Sequence, residues 1–219
     1  MERFFNMDNK FFTAMGKVAD LCILNIICII CCIPIFTAGA SITAMFYVTL
    51  KMVRNEESYI VKSFFRSFKQ NFKQATIINL IMIAVAVILY VDLSISRSMS
   101  GVTGKALSVF FMAFVIIYFI VFLYIYPVLA RFYNSIRNTF RNAGLMAIRH
   151  FPYTILMILI SLCPLLIFFI QSYQIQSILL ALFLLMGFAL VAYCNSYFFV
   201  KIFDNYMPKD EDAIEGKNE

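Results

Sequence analysis

The sequence predicts an all-α protein, a polytopic bundle of about six transmembrane helices with both termini in the cytoplasm and an amphipathic helix at the membrane interface. Of the 219 residues, 63% are hydrophobic and 14% are charged, whereas a soluble domain is about 45–50% apolar and about 25% charged. The apolar residues form long runs between 18 and 203, separated by short polar gaps. We therefore expect one transmembrane domain over 1–203 and a short polar tail over 204–219.

Individual spans follow from the lengths of the apolar runs, because about 20 apolar residues are needed to cross a hydrocarbon layer of about 30 Å. Four runs satisfy this length: 75–96, 106–130, 151–171 and 177–200. The run 18–53 is too long for one straight helix and contains Pro34 and Gly39, which favour a break. We predict two short segments there, 18–35 and 40–53. Whether 40–53 crosses the membrane fully or is re-entrant stays open, because irregular backbone in a membrane must be covered by protein or water.

The positive charges support this arrangement, because lysine and arginine accumulate in cytoplasmic loops. With both termini inside, the outer loops contain only Arg97 and Lys105, and the other 16 basic residues lie inside. The net charge of +6 is therefore assigned to lipid head groups and topology rather than to a nucleic acid. A multi-pass protein of the cytoplasmic membrane is expected, with the lipid bilayer as its first partner.

An amphipathic helix is predicted over 58–73, between the second and third spans. Its apolar positions recur every four residues, and its basic positions lie on the other side. The apolar residues are Ile60, Phe64, Phe68 and Phe72, and the basic residues are Lys62, Arg66, Lys69 and Lys73. Such a helix lies at the membrane interface, where it either anchors the chain or binds a partner through its phenylalanine face.

Ionisable residues inside apolar runs are the usual functional candidates in membrane proteins, and few are present. Asp20 follows Lys17 by one helical turn, which favours an ion pair at the interface. Asn25, Asn79 and Asn195 are uncharged and suited to hydrogen bonds between helices.

No catalytic, cofactor-binding or metal-binding motif is found, so an enzyme is not expected. The six cysteines all fall in apolar runs. The spacing of Cys28 and Cys31 matches a redox or metal pair, but the only histidine is His150, and packing is the preferred interpretation.

One segment resembles a known family. Its pattern is Pro34-x-x-Thr37-x-Gly39-Ala40-x-x-Thr43-Ala44, followed by Phe64-Phe-x-x-Phe68-Lys and Asn71-Phe-Lys-Gln-Ala75. It resembles the YesL-type integral membrane proteins, which occur mainly in Gram-positive bacteria and are often encoded near carbohydrate-degrading enzymes and sugar ABC importers. The resemblance implies a role in carbohydrate uptake or its regulation.

The same motif has a structural interpretation. Gly39 and Ala40 allow helix backbones to approach closely, and Thr37, Ser41 and Thr43 can bond the carbonyl groups that Pro34 leaves free. The motif is then a turn between two spans. The alternative is an outward-facing contact for a ligand or partner.

The leading hypothesis is a non-enzymatic accessory subunit that binds the permease subunits of a carbohydrate ABC importer. An independent small-solute transporter or channel is the second hypothesis, and a membrane sensor or regulatory protein is the third. The oligomeric state and the substrate are not predicted.

Overall fold

The structure is a computed structural model that describes residues 10–56 and 59–207, with side chains from Met15 onward. Throughout this part of the chain the regular elements are helices. The basic residue Arg3, the predicted helix start at Ser58 and tail residues 208–219 lie outside the described residues. The eight α-helices of the described part are α1 (Lys10–Cys32), α2 (Ala38–Val53), α3 (Ile60–Ser98), α4 (Gly101–Arg131), α5 (Ile136–Arg149), α6 (Phe151–Leu162), α7 (Tyr173–Leu182) and α8 (Phe188–Asp204).

Six segments of the described chain are long and apolar enough to cross a membrane, in agreement with the predicted bundle of about six spans. They are Met15–Cys32, Ile35–Val53, Ile60–Ser98, Gly101–Arg131, Phe151–Phe169 and Tyr173–Asp204. The fifth combines α6 with a 3₁₀ segment, Cys163–Phe169, and the sixth joins α7 to α8 through a π-helical segment, Phe183–Gly187. The fold is therefore an all-α polytopic helical bundle.

The predicted break near Pro34 is confirmed, although its position differs from the prediction. α1 ends at Cys32 rather than at 35, and a 3₁₀ turn over Ile35–Thr37 leads directly into α2 at Ala38. Gly39 is therefore part of a helix and not of the turn. Its small size serves close packing instead of a special backbone conformation.

The amphipathic helix predicted over 58–73 is present from Ile60 onward, but it is not a separate element. The segment is helical, but it continues without interruption into the third span as the first part of α3, which has 39 residues and is about 58 Å long. No proline or glycine interrupts this stretch, so nothing in the backbone separates the charged part from the apolar part.

A separate amphipathic helix, α5, occurs in the loop between α4 and α6, where none was predicted. Ser135, the residue before its first turn, caps the helix, because its side chain accepts a hydrogen bond from the Asn138 amide. Its inner face packs on the bundle through buried residues: Thr139, Ala143, Met146 and Ala147. Its apolar residues do recur with helical spacing, but Arg137, Arg141 and Arg149 give the segment the appearance of a polar loop.

The buried core lies at one end of the molecule, around α2. This short helix packs against α1, α3, α4 and α8, and 67% of the second span is buried inside the chain. The α3–α4 hairpin extends beyond this core. Between Met82 and Tyr124 the structure buries only Ser96 and Gly104, so most of that hairpin has an exposed, apolar surface.

Candidate functional site

The turn between α1 and α2 is closed by side-chain hydrogen bonds to backbone carbonyl groups. The Thr37 hydroxyl donates to the carbonyl oxygens of Cys31 and Pro34, both at 2.7 Å, and the Ser41 hydroxyl donates to the Cys28 carbonyl at 2.9 Å. Thr37 and Ser41 therefore bond carbonyl groups at the end of α1 and in the turn. Thr43 differs from the prediction, because its hydroxyl bonds the Gly39 carbonyl of its own helix at 2.8 Å.

Close packing fixes this turn against α3. A Cβ atom added to Gly39 would lie 2.6 Å from the Ala75 carbonyl oxygen and 2.6 Å from the Asn79 Cβ, so no larger residue fits. Ala40 beside it is fully buried. The predicted close approach of two helix backbones at Gly39 and Ala40 is therefore present.

Asn79 connects the turn to a third helix. Its Nδ2 donates to the Ile35 carbonyl at 2.9 Å, and its Oδ1 accepts a hydrogen bond from the Tyr126 hydroxyl of α4 at 3.0 Å. Both side chains are buried. The predicted role of Asn79 in bonding between helices is observed, and it extends to the backbone of the turn.

Asn25 forms a second link between helices. Its Nδ2 donates to the Leu184 carbonyl at 2.7 Å, and its Oδ1 accepts from the Ala189 amide at 2.9 Å. These two backbone groups are five residues apart at the π-helical segment of the sixth span, where regular α-helical pairing is interrupted. The fully buried Asn25 side chain therefore bridges these two backbone groups and joins α1 to the last span.

Asn195 is the third asparagine predicted to bond across helices. Its Nδ2 donates to the Ser161 hydroxyl at 2.9 Å, while its buried Oδ1 has no hydrogen-bond partner among the described residues. The next residue of α8, Ser196, contacts α2 through a 2.8 Å hydrogen bond between its hydroxyl group and that of Thr49. The links that the structure shows between spans are thus mainly neutral hydrogen bonds.

Lys17, near the start of α1, makes a contact near the end of another helix. Lys17 donates to the Asn55 Oδ1 at 3.0 Å, which connects α1 to the end of α2. Asp20 is half-buried nearby, and its predicted ion pair with Lys17 stays a prediction.

The first part of α3 has two apolar stripes rather than one. Ile60 and Phe64 face the core and are buried, and Phe68 is half-buried. The second stripe is exposed and consists of Val61, Phe65 and Phe72, at 46%, 40% and 36% of their full exposure. The four basic residues on this segment, Lys62, Arg66, Lys69 and Lys73, are also exposed. The prediction that Phe64 forms an accessible contact face is therefore corrected, because its ring is inside the chain.

A charged rim borders the buried core where α2, α4 and α8 end. Arg54 forms an ion pair with Asp204, and Lys51 lies 5.0 Å from the centre of the Tyr47 ring. Arg131, which is half-buried, donates to the Met207 sulfur at 3.1 Å. Two shallow clefts meet here: Tyr47 and Arg131 line both of them, and Lys51 and Arg54 line one. The sequence identified these charges only as topology signals.

His150 lies on the same rim, between α5 and α6. Its Nε2 is 3.1 Å from the Tyr206 hydroxyl. Burial, and to a lesser extent the neighbouring Arg149, lowers the pKa of His150 below its usual value. The imidazole is therefore neutral at neutral pH and acts as a hydrogen-bonding group rather than a charge.

Taken together, the helical architecture and the neutral hydrogen bonds between its spans define a polytopic α-helical membrane protein. Within that class, residues 21–93 match a family described as "Protein of unknown function, DUF624". Over 150 residues the chain is 27% identical to "Uncharacterized protein YesL" of Bacillus subtilis (strain 168), covering 68% of this chain and 70% of that protein. No solved structure matches significantly. The predicted resemblance to the YesL-type family is thus confirmed, and the matched residues include the turn, Gly39, Asn79 and both stripes of α3.

Proposed function

We propose that the chain is a non-enzymatic accessory subunit of the cytoplasmic membrane that binds the permease subunits of a carbohydrate importer. The supporting observation is the exposed apolar stripe of Val61, Phe65 and Phe72, which lies among four exposed basic residues on α3. An apolar stripe bordered by polar residues is typical of a protein interaction surface. The link to carbohydrate uptake rests on the family resemblance alone.

The arrangement of the core agrees with a binding role. Inside the bundle, the asparagines of α1 and α3 bond backbone groups and a tyrosine, and the ion pair between Arg54 and Asp204 lies at the rim. A transporter coupled to protons or ions usually carries ionisable groups along its path. The described interior supports a fixed scaffold whose contacts with other proteins lie on its surface.

The proposal is tested by purifying the tagged chain from its native membranes after mild crosslinking. Identification of both permease and ATPase subunits of one importer is the expected result. The triple variant Val61→Ser, Phe65→Ser, Phe72→Ser is expected to lose these subunits while its helical content and thermal unfolding stay unchanged. Phe64 is avoided, because substitution of a buried ring destabilises the fold itself.

A matched control removes exposed apolar groups elsewhere at the same end of the molecule. Leu145 and Ile148 of α5 are 54% and 76% exposed, and the double variant Leu145→Ser, Ile148→Ser should retain the importer subunits. Recovery of the wild-type chain without any importer subunit would overturn the proposal. Equal loss in both variants would show that the α3 stripe is not the contact.

A second candidate, an independent small-solute transporter, is favoured by the two shallow clefts at Tyr47 and Arg131. They open at one end of the core, and the first is lined by Glu56 as well as by Lys51 and Arg54. Their volumes of about 10 and 20 Å³ hold about one water molecule each, so this candidate requires them to widen before a sugar can pass. Flux of a labelled sugar into liposomes that contain only this chain would establish the second candidate over the first. Substitution of Arg131 by glutamine should then reduce that flux.

A further inference from the structure

The α1–α2 turn contacts α3 far from the end at which α3 meets α4. Gly39 and the Ile35 carbonyl contact α3 at Ala75 and Asn79. From Asn79, α3 continues to Ser98, which is about 28 Å farther at about 1.5 Å per residue. α4 follows the same path back, because Ser96 meets Ser108 and Asn79 meets Tyr126. The α3–α4 hairpin therefore extends almost one hydrocarbon thickness beyond the α1–α2 turn.

The uncharged part of the α1–α2 hairpin is short. No charged residue occurs between Asp20 and Lys51. The helical part of this uncharged segment measures about 18 Å in α1, from Leu21 to Cys32, and about 20 Å in α2, from Ala38 to Leu50. Each is shorter than a hydrocarbon layer of about 30 Å, and the two helices reach the length of a span only when their charged ends are included.

The surface of the turn is apolar, unlike that of a loop in water. Ile33, Ile35 and Phe36 are 74%, 72% and 52% exposed, and Pro34 beside them is exposed as well. The one polar side chain of the turn, Thr37, points inward to two carbonyl groups. Exposed apolar side chains in such a cluster require an apolar environment.

The backbone of the turn is satisfied by protein donors. Hydroxyl groups from Thr37 and Ser41 bond the carbonyls of Cys28, Cys31 and Pro34, and the Asn79 amide bonds that of Ile35. Water would supply these bonds at a membrane surface, whereas inside a bilayer the protein must provide them.

We infer that α1 and α2 form a re-entrant hairpin whose tip, Ile33–Phe36, binds lipid acyl chains inside the bilayer and does not reach its outer face. The chain then crosses the membrane fully four times, through α3, α4 and the last two spans. Because the hairpin returns to the side from which it enters, the distribution of 16 basic residues on one side and two on the other is unchanged. The family motif at the tip then contacts lipid and α3, and not a ligand in the outer aqueous phase.

The absence of tryptophan from the chain makes a depth measurement direct. The variant Phe36→Trp, reconstituted as the full chain in phosphatidylcholine bilayers, carries a single tryptophan, at the tip, which can be excited apart from the tyrosines. Lipids brominated along their acyl chains should quench its emission several-fold. Aqueous iodide should have little effect. The matched control is Val102→Trp at the α3–α4 turn, where Val102 is 84% exposed and the opposite pattern is expected.

Helical content and thermal unfolding identify variants that do not fold, and Ile35→Trp provides a second probe of the same tip. Quenching of both tip variants by iodide to the extent seen for Val102→Trp would overturn the inference and establish two full crossings. Strong quenching of Val102→Trp by lipids brominated along their acyl chains, without such quenching of Phe36→Trp, would also contradict it.

Discussion

The two N-terminal hairpins show how a turn is built for different surroundings. In the α1–α2 turn, hydroxyl and amide side chains bond the carbonyl groups, and Gly39 packs directly on α3. The α3–α4 turn is closed by Gly101, whose φ of +91° suits glycine, and Arg97 and Lys105 flank it. A turn that water can hydrate needs only a favourable backbone conformation. A turn that lipid surrounds needs internal hydrogen-bond donors as well.

Introducing a charge should produce the largest difference between these two turns. Ile35→Asp places a carboxylate at the α1–α2 tip, and Val102→Asp places one at the α3–α4 tip; the two native side chains are 72% and 84% exposed. We expect Ile35→Asp to cost about 2.5–3.5 kcal/mol, the value for an acidic residue within a membrane, and Val102→Asp to cost less than about 0.5 kcal/mol. The measurement is the free energy of unfolding in bilayers, and equal effects would remove the distinction.

Filling the contact at Gly39 should produce the next largest effect. Gly39→Ala puts a methyl group 2.6 Å from the Ala75 carbonyl oxygen. Because that oxygen belongs to the backbone of α3, it cannot move away easily. Overpacking of this kind costs about 1–3 kcal/mol. The expected result is a lower thermal unfolding midpoint with unchanged helical content in the folded state.

Gly144 is the matched control for Gly39. It is also helical, but an added Cβ meets nothing within 4 Å, so Gly144→Ala should stabilise the chain by up to about 1 kcal/mol. A stabilising effect at both positions would show that α2 and α3 are farther apart than the structure indicates.

Removing the Asn25 amide should weaken the attachment of the α1–α2 hairpin to the last span. Asn25→Leu leaves the Leu184 carbonyl and the Ala189 amide without their partner. The cost is about 1–2 kcal/mol, since each lost bond inside a membrane protein contributes about 0.6 kcal/mol on average and unsatisfied groups add to it. Hydrogen exchange at the Ala189 amide should accelerate. Exposed Ile26 on the same helix provides the control, since Ile26→Leu should leave this exchange rate unchanged.

Sequence patterns predicted the parts of this fold that depend on hydrophobic length and on proline. The six apolar segments and the break near Pro34 are examples, because both follow from local chemistry. The continuity of α3 was missed, since its basic residues looked like the face of a separate surface helix. α5 was missed because Arg137, Arg141 and Arg149 made its segment look like a basic loop, although its apolar residues have helical spacing. The asparagines were recognised as linking groups, but their partners include backbone atoms of distant segments, and no local pattern identifies those.

The smallest expected effect is the free energy of one hydrogen bond in the α1–α2 region, between Asn79 and Tyr126. A double-mutant cycle with Asn79→Ala and Tyr126→Phe isolates their 3.0 Å hydrogen bond. The coupling free energy should be about 0.6 kcal/mol and not above about 1.7 kcal/mol, the range for such bonds in membranes. In the α3–α4 hairpin, Ser96 and Ser108 approach at 3.3 Å, but Ser96 and Ser108 also bond carbonyls of their own helices. The cycle of Ser96→Ala and Ser108→Ala should therefore show a coupling near zero. A coupling at the serine pair as large as that at Asn79 would mean that side-chain bonds hold both hairpins equally, contrary to the difference between their turns.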